Sequence, residues 1–357
     1  MVAGGRVAPV GVGGFISGGG ISYLSPKYGW SCDTVQNFEI VLANGSIVNA
    51  NAQENPDLWQ ALKGGPGNFG LITRYDMTAI EYADPKTAQI WGGLLTYDSN
   101  DYAVVESVIA AFVKFAESPP ENIDNSGVVW WAYNQALGGI SLIACIDNVA
   151  NNPNAPGLDG FRVIPFIGST LRSDTIVGIT GELAGGHGLH YINMVAAYRN
   201  DSRIIRFAME RHEQLIRDIE AVVGTEGTGL GTQCQFQPIS QQMVAHSQAN
   251  GGNSLSLESR VALGNGINWQ INIGVNSAEN ATALLPLLEQ MYHKVDAYAT
   301  SLDANWDWVY LNYAFGTQDP IRSTGPETIK RLKAISRKYD PEGAFQKLRA
   351  AGFKIPL

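Results

Sequence analysis

Apolar and polar side chains alternate between residues 38 and 48, on either side of the dipeptide Asn44-Gly45. This pattern predicts a β-hairpin, and Asn-Gly is typical of a two-residue primed turn. A short helix is predicted next, with Asn55 as its N-cap and Gly64 at its end. Another strand is predicted over residues 70–78, which completes a small sheet near the start of the chain.

Beyond residue 84, strand-like runs alternate with longer helical runs. The strand-like runs cover residues 89–97, 127–134, 140–147 and 267–275, and the helical runs cover 101–117, 202–223 and 279–300. Antiparallel strands with helices on one face form an α+β lobe. We therefore predict an α+β protein with two lobes.

Glycine is concentrated near the start of the chain. Six glycines lie within ten residues: Gly11, Gly13, Gly14, Gly18, Gly19 and Gly20. Without Cβ atoms, the backbone can approach a flat or anionic ligand closely and can adopt positive φ. Such stretches are often flexible linkers, but Val12, Phe15 and Ile16 interleave with these glycines, and a solvated linker would not carry them. The pattern favours an ordered segment that contacts a ligand.

Three common glycine motifs do not match this run. The dinucleotide fingerprint needs glycine where Ile16 stands, and no strand precedes the run. A phosphate loop needs Ser or Thr after its lysine, whereas Lys27 is followed by Tyr28. A nucleophile elbow needs glycine two residues before and after a serine, and neither Ser17 nor Ser22 has both.

The composition of the chain limits the kinds of molecule that it is expected to bind. The chain has 357 residues, a net charge of -9 and 16% charged residues. An acidic protein lacks the basic face that nucleic acid requires, and no apolar run reaches membrane-spanning length. We therefore expect a small-molecule substrate, with neither nucleic acid nor membrane as a partner. The sequence does not indicate an oligomeric state.

Metal and disulfide chemistry is disfavoured. Cys32, Cys145 and Cys234 have no metal-site spacing and are expected to be buried apolar residues. His187 and His190 lie three residues apart but lack a nearby carboxylate or cysteine cluster. We predict no metal.

The sequence leaves two cellular locations open, secreted and cytoplasmic. The first residues lack the apolar core of a signal peptide. Asn-x-Ser/Thr sequons at Asn44, Asn200 and Asn280 would permit glycosylation if the protein were secreted with the help of a preceding segment. Otherwise, we expect a cytoplasmic protein.

Five segments in a fixed order carry a family resemblance: residues 13–22, 27–33, 42–48, 55–65 and 68–73. In residues and spacing they resemble the FAD-linked oxidoreductases of the berberine bridge enzyme type, which have a PCMH-type FAD-binding domain. The segments 310–313, 338–341 and 345–346 are similar to that family's C-terminal return to the flavin domain.

The resemblance implies FAD as cofactor and two lobes. Residues 1–82 and 310–357 would form the FAD-binding lobe, and residues 83–309 an antiparallel substrate-binding lobe with helices on one face. In the family, a phosphate-binding loop and a histidine that often attaches FAD precede the glycine run. We therefore expect the FAD lobe to be incomplete, truncated at its N-terminal end, and to hold FAD weakly and without a covalent bond.

The resemblance also implies the site residues. The predicted cofactor-binding residues are Gly11, Gly13, Gly14, Gly18, Gly19, Gly20, Tyr28, Gly29, Asn68, Gly70, Ile72 and Asn312. A tyrosine of the segment 310–313 commonly faces flavin and substrate in this family, so Tyr310 and Tyr313 are the candidate catalytic bases. Trp306 and Trp308 extend them into an aromatic stripe, and such stripes are also typical of core packing.

Two classes of function remain open at this stage. One is an FAD-dependent oxidoreductase that oxidises a small alcohol, sugar or secondary metabolite by hydride transfer to flavin. The other is a non-redox binding protein or cyclase of the same fold without a tightly bound flavin. Glu258 and Arg260 are a secondary acid and cation, expected on a strand of the substrate lobe or at the surface.

Overall fold

The computed structural model describes residues 1–81, 88–117, 122–184, 188–224 and 226–356. The helices are α1 (Val12–Ser17), α2 (Ser25–Tyr28), α3 (Pro56–Leu62), α4 (Tyr102–Ala116), α5 (Asp159–Arg162), α6 (Ile176–Glu182), α7 (Ser202–Val223), α8 (Gln241–Ala249), α9 (Glu258–Val261), α10 (Ala278–Ser301), α11 (Pro326–Tyr339) and α12 (Ala344–Leu348). The strands are β1 (Val35–Val41), β2 (Ile47–Asn51), β3 (Leu71–Met77), β4 (Gln89–Tyr97), β5 (Asn125–Asn134), β6 (Gly139–Asn148), β7 (Gly168–Ser169), β8 (Arg172–Thr175), β9 (His190–Arg199), β10 (Gly231–Ile239) and β11 (Gly266–Val275). This mixture of helices and antiparallel sheets confirms the predicted α+β class.

The chain divides into two units. The first unit comprises Met1–Ala88, Gln241–Leu263 and Gly316–Leu357, and the second comprises Gln89–Ser240 and Gly264–Phe315. The predicted boundary between residues 82 and 83 lies outside the described residues. That FAD belongs to the first unit and substrate to the second remains a prediction.

Two segments lie in a different unit from the one that the predicted division gave them. Residues 241–263 belong to the first unit, where the Ser247 hydroxyl donates a hydrogen bond to Asp33. Residues 310–315 belong to the second unit, where the Asn193 amide donates to the backbone carbonyl of Tyr313. Both placements depend on hydrogen bonds between residues far apart in sequence, which local patterns do not reveal.

In the first unit, β1 pairs with both β2 and β3 in an antiparallel sheet of order β2-β1-β3. The hairpin is confirmed, but the predicted two-residue primed turn is wrong. Leu42 N–H donates to the Ser46 carbonyl at 2.9 Å, which leaves a three-residue loop. A type I′ turn needs positive φ at both central residues, and of Asn44 and Gly45 only the glycine has it, at 80°.

Helix α3 begins and ends close to the predicted positions, but Asn55 does not cap it through its side chain. Asn55 has φ 50° and ψ 52°, and its amide donates to the Asn49 carbonyl at 2.7 Å instead. Gly64, with φ 102°, follows the helix and lets the chain turn away.

The second unit is built on an antiparallel sheet of order β7-β4-β6-β5-β10-β11-β9, with β8 also paired to β4. The strand-like runs predicted at β4, β5, β6 and β11 are confirmed, as are the helices α4, α7 and α10. β9 and β10 were not predicted.

One face of this sheet packs against the three long helices of the second unit. The strands contribute apolar side chains such as Phe236 and Ile271, and α4, α7 and α10 contribute Phe112, Leu215 and Leu288. All five side chains are at most 3% exposed. Because strand side chains alternate between faces, the residues next to these core positions lie on the opposite face.

Candidate functional site

The glycine-rich segment in the first unit is ordered. Residues Val12–Ser17 form α1, with Gly11 at its N-cap and Gly18 at its C-cap. Ser31 N–H donates to the Gly20 carbonyl and Cys32 N–H to the Gly19 carbonyl, both at 2.8 Å. A flexible linker is therefore excluded for this segment.

Gly20 serves a different purpose from Gly11 and Gly14. Gly20 has φ 84°, and a Cβ there would lie 2.8 Å from both the Phe15 ring and the Ser31 side chain. Gly20 is therefore required by packing within the unit. A Cβ at Gly11 or Gly14 would have no atom of the described chain within 4 Å, so at these positions the missing side chains leave the backbone open to an approaching ligand.

The open backbone at Gly11 and Gly14 fits a flat group such as the FAD ring system. Gly13 lies between them, and the Tyr75 hydroxyl donates to its carbonyl at 3.0 Å, which fixes that peptide. Gly19 has φ 115°, a conformation that residues with side chains rarely adopt. The residues present therefore fit the predicted cofactor.

Several of the other predicted cofactor-binding residues of the first unit are partly buried or make contacts within that unit. Tyr28 is half-buried in α2, and Ile72 is half-buried in β3. Gly29 has φ 83°, and a Cβ at Gly70 would lie 2.5 Å from a backbone carbonyl of β1. Asn68 uses its side chain within the unit, since its oxygen accepts from the Gln346 amide at 3.0 Å and from Arg349 at 3.2 Å.

Behind the glycine segment lies a buried carboxylate. Asp33 is fully buried and accepts hydrogen bonds from Trp30 N–H at 2.9 Å, Ser247 Oγ at 2.5 Å and Asn253 Nδ2 at 3.0 Å. Burial raises the pKa of the Asp33 carboxyl, and the bonds from Ser247 and Asn253 oppose that rise. Three donors, one from the neighbouring Trp30 and two from the distant segment 241–263, make Asp33 a structural anchor of the unit.

Lys63 is also fully buried beside this anchor. Its ammonium donates to the Asn250 carbonyl at 2.9 Å and lies 3.4 Å from the centre of the Trp59 ring. Burial lowers the pKa of Lys63, whereas the nearby Cys32 and Asp33 raise it. The motif residues 55–65 and 27–33 therefore meet segment 241–263 through buried polar contacts.

In the second unit, Tyr310 is a packed residue. It is 1% exposed, and its ring stacks on Trp308 with centroids 5.9 Å apart. Its hydroxyl accepts an N–H from Asn312 at 3.0 Å. The predicted flavin partner Asn312 thus directs its amide to Tyr310, and the packing interpretation describes Tyr310 well.

Tyr313 has a different environment. Its side chain is half-buried, and its ring meets Tyr310 edge-on with centroids 4.9 Å apart. The Gln237 amide donates to its hydroxyl at 3.2 Å, and the Asn193 amide donates to its backbone carbonyl. Of the two candidate bases, Tyr313 has the more accessible phenol.

Sequence reasoning missed a row of amide side chains, one of which, Gln237, bonds to Tyr313. On the sheet face opposite the helices, β10 and β11 present three cross-strand pairs of amides, which we call the amide ladder: Gln237–Asn268, Gln235–Gln270 and Gln233–Asn272. Their signal was present in the sequence, because amides alternate with core residues in both strands.

Glu258 and Arg260 are not on a strand of the second unit. They belong to the short helix α9 of the first unit, where Arg260 donates to the carbonyls of Ser256 at 2.6 Å and Ser323 at 2.7 Å. The arginine therefore holds loops together, and the strand prediction for this pair was wrong.

Within the described ranges, no group of three or more His, Cys, Asp and Glu side chains could hold a metal ion. His187 lies outside those ranges. None of the described helices is long and apolar enough to cross a bilayer.

Comparison with known proteins identifies the class of protein, an FAD-dependent flavoprotein. A family model described as an FAD-binding domain matches residues 1–51. The chain is 34% identical to the FAD-dependent monooxygenase drtC of Aspergillus calidoustus over 357 residues, covering 99% of this chain and 66% of that protein. It is also 34% identical to the FAD-dependent monooxygenase sdcF of Emericella nidulans, covering 99% of this chain and 72% of that protein.

Solved structures show the same fold. The BBE-like 1 variant D396N of Physcomitrella patens has a TM-score of 0.69 at 16% identity and covers all of this chain and 72% of its own length. Aclacinomycin oxidoreductase has a TM-score of 0.73 at 16% identity, over 99% of this chain and 76% of its own. These neighbours are two-lobe PCMH-type FAD oxidases.

The chain belongs to the family of FAD-dependent monooxygenases and oxidoreductases with a PCMH-type FAD-binding domain. This confirms the resemblance to the berberine bridge enzyme type and the predicted cofactor, FAD. The chain spans about two thirds to three quarters of the length of the curated relatives that it matches.

Proposed function

We propose that this chain carries out an FAD-dependent oxidation of a small alcohol, sugar or secondary metabolite. Membership of the FAD-dependent family supports the reaction class. Among the structural neighbours are a xylooligosaccharide oxidase and an oxidoreductase solved with pregilvocarcin, which together suggest hydroxylated substrates. The single observation that carries the proposal is Tyr313, a half-buried phenol held by an amide hydrogen bond.

The proposed roles follow from the side chains. FAD, when bound, accepts a hydride from a substrate C–H bond. Tyr313, as its phenolate, would take the proton from the substrate hydroxyl and become the neutral phenol, so that loss of hydride and proton together converts the alcohol to a carbonyl. Gln237 would fix the phenol orientation through its N–H and leave oxygen lone-pair density for the substrate.

Holding the cofactor would fall to the open backbone of the first unit. Gly11 and Gly14 would contact the flat part of FAD, because no side chain stands in the way there. Gly19 and Gly20 would keep the loop after α1 in its turned conformation. Tyr310 and Asn312 would support Tyr313 through packing.

The test compares two tyrosine substitutions under anaerobic conditions. FAD-loaded protein is mixed rapidly with neutral sugars and hydroxylated aromatic compounds, and loss of oxidised flavin absorbance is followed. With a reducing substrate found in this panel, Tyr313→Phe is expected to slow flavin reduction by about a hundredfold or more, the usual scale for a lost general base. Tyr310→Phe is the matched control, and its flavin reduction should stay within about tenfold of the parent, since the buried Tyr310 hydroxyl accepts from Asn312 and takes no proton in this proposal.

Reduction of Tyr313→Phe at the parental rate would place the base elsewhere. A protein that binds the panel compounds but neither binds FAD nor reduces it would instead support the non-redox class of function.

A further inference from the structure

One face of α11 borders a cavity in the first unit. Residues 330, 333, 334 and 337 recur every three or four positions along the helix and therefore share one face, whereas its buried side chains lie on another. The cavity beside this face has a volume of about 560 Å³, and all of its lining residues belong to the first unit. Pockets for small molecules usually measure about 300 to 1,000 Å³, so the cavity is large enough for such a ligand.

The lining combines apolar side chains with cations. Ile329 and Pro356 are among the apolar ones, and the cations are Arg322, Lys330, Lys333 and Arg337. Among the described residues that line the cavity, none is acidic. Because the whole chain has a net charge of -9, four cations without an acid are a local reversal of its charge.

Three of the four cations are unpaired. Arg322 donates to the Asp319 carboxylate at 3.0 Å. In contrast, the side chains of Lys330, Lys333 and Arg337 form no hydrogen bond or ion pair with the described residues. Like charges three or four residues apart repel one another and destabilise a helix. The presence of these three cations on one helix face therefore needs a reason.

The dipole of α11 accounts for only one of the three. Arg337 lies in the last turn, where the free carbonyl groups favour a positive charge. Lys330 and Lys333 lie nearer the middle of the helix, where that effect has faded. Glu327 is the one acidic residue of α11, and it forms no ion pair with the described residues. A ligand supplies the missing negative charge.

The lining also indicates which kind of ligand fits. Ile329 is half-buried and Pro356 is buried, so an apolar group placed against them would leave water. Lysine and arginine bind phosphate through charge-assisted hydrogen bonds. A single negative charge would leave most of the unpaired positive charge uncompensated, whereas a dianion compensates two of the three cations.

We infer that this cavity is a second ligand site, which takes a small molecule with an apolar body and a dianionic group such as a phosphate monoester. Lys330, Lys333 and Arg337 bind the dianion, and Ile329 and Pro356 contact the apolar body. None of the described residues that line the cavity belongs to the glycine run or to segment 310–313. The inference therefore goes beyond the proposed oxidation and does not depend on it.

The experiment measures dissociation constants by titration calorimetry with three probes. The first is 2-naphthyl phosphate, which has both features of the ligand. The second is 2-naphthol, which has the apolar body alone, and the third is inorganic phosphate, which has the charge alone. Titrations are made at pH 8, where a phosphate monoester is dianionic, at low ionic strength, and both with and without excess FAD.

Two pairs of variants separate the site from general electrostatics. Lys330→Gln with Lys333→Gln removes two cations of the cavity, and Lys114→Gln with Lys294→Gln removes two exposed lysines of the second unit as the matched control. Ala334→Asp adds a negative charge at an exposed position of the lining, and Ala334→Asn adds a side chain of similar size without the charge.

The parent should bind 2-naphthyl phosphate about tenfold or more tightly than either other probe, with the same affinity in excess FAD. Loss of Lys330 and Lys333 should weaken this binding about tenfold, whereas loss of Lys114 and Lys294 should change it by less than about threefold. Ala334→Asp should bind about tenfold more weakly than Ala334→Asn, because the added charge repels the dianion.

The inference is overturned if 2-naphthyl phosphate does not bind, or if 2-naphthol binds as tightly. Inorganic phosphate that binds as tightly as the naphthyl ester would indicate an adventitious anion only. Loss of binding in excess FAD would assign the phosphate to the cofactor site. Equal weakening by the two lysine pairs, or equal affinity of the two Ala334 variants, would show that the cations of this cavity do not hold the ligand. Each of these results contradicts the inference.

Discussion

His212 makes the stability of the second unit depend on pH. It lies on α7, is fully buried, and has one ring nitrogen, Nε2, 2.6 Å from the Thr232 hydroxyl. The other nitrogen, Nδ1, has no hydrogen-bond partner among the described residues. Burial lowers the pKa of His212 to about 3, because a charged imidazolium would lose its water without gaining an anion.

The direction of the change in stability with pH follows from proton binding in the folded and unfolded chain. The unfolded chain binds a proton at His212 below about pH 6.5, whereas the folded chain does so only near pH 3. His212 therefore contributes full stability above pH 6.5 and loses it progressively as the pH falls toward 3. At pH 5 the loss is about 2 kcal/mol, from about 1.4 kcal/mol for each pH unit below the unfolded pKa.

The assay is denaturant unfolding at pH 7, 6 and 5 of the parent and of His212→Gln. Glutamine can keep a hydrogen bond to Thr232 but does not titrate, so the variant should lose about 2 kcal/mol less than the parent between pH 7 and pH 5. His293→Gln is the control for replacing a histidine by glutamine at an exposed position. Equal pH dependence in the parent and His212→Gln would refute the reasoning.

Three further predictions concern Gly20 and Asp33, which stabilise the first unit, and Gln237, which orients the proposed base. Gly20→Ala should lower the thermal midpoint by several degrees, because Gly20 has positive φ and no room for a Cβ, whereas Gly14→Ala should leave it within about 2 °C of the parent. Asp33→Asn should reduce the free energy of unfolding at pH 7 by about 2 kcal/mol, because an amide NH2 would face a hydrogen-bond donor; a loss below about 0.5 kcal/mol in urea unfolding would contradict this. Gln237→Leu should slow flavin reduction about tenfold with unchanged FAD content, because Tyr313 loses its orienting bond; an unchanged rate would remove Gln237 from the site.

The sequence was sufficient for the elements with strong local patterns. The runs that became β5 and β6 are rich in β-branched and aromatic residues, the run that became α7 has a helical apolar pattern, and all three form where expected. β10 was missed because its alternating residues are amides and because Pro238, within the run, argues against a strand. The amides that weakened the strand signal are the same side chains that form the ladder.

The remaining errors involve distant contacts. Nothing near residue 247 signals that its hydroxyl reaches Asp33, 214 residues earlier, so local patterns do not place segment 241–263 in the first unit. The glycine run shows a related limit of prediction from sequence. Sequence reveals that Gly20 and Gly14 lack side chains, but only the structure distinguishes the glycine demanded by packing from the glycine that leaves the backbone open.

The most direct test of the central claim is FAD binding at the glycine segment. Purified parent, Gly14→Leu and Gly181→Leu are incubated with FAD, passed through gel filtration, and examined for flavin absorbance in the protein peak. Gly181→Leu is a control in helix α6, where an added Cβ also meets no atom of the described chain within 4 Å. The account predicts flavin bands with the parent and with folded Gly181→Leu, and their loss from a folded Gly14→Leu. A colourless parent, or Gly14→Leu with parental FAD content, would contradict it.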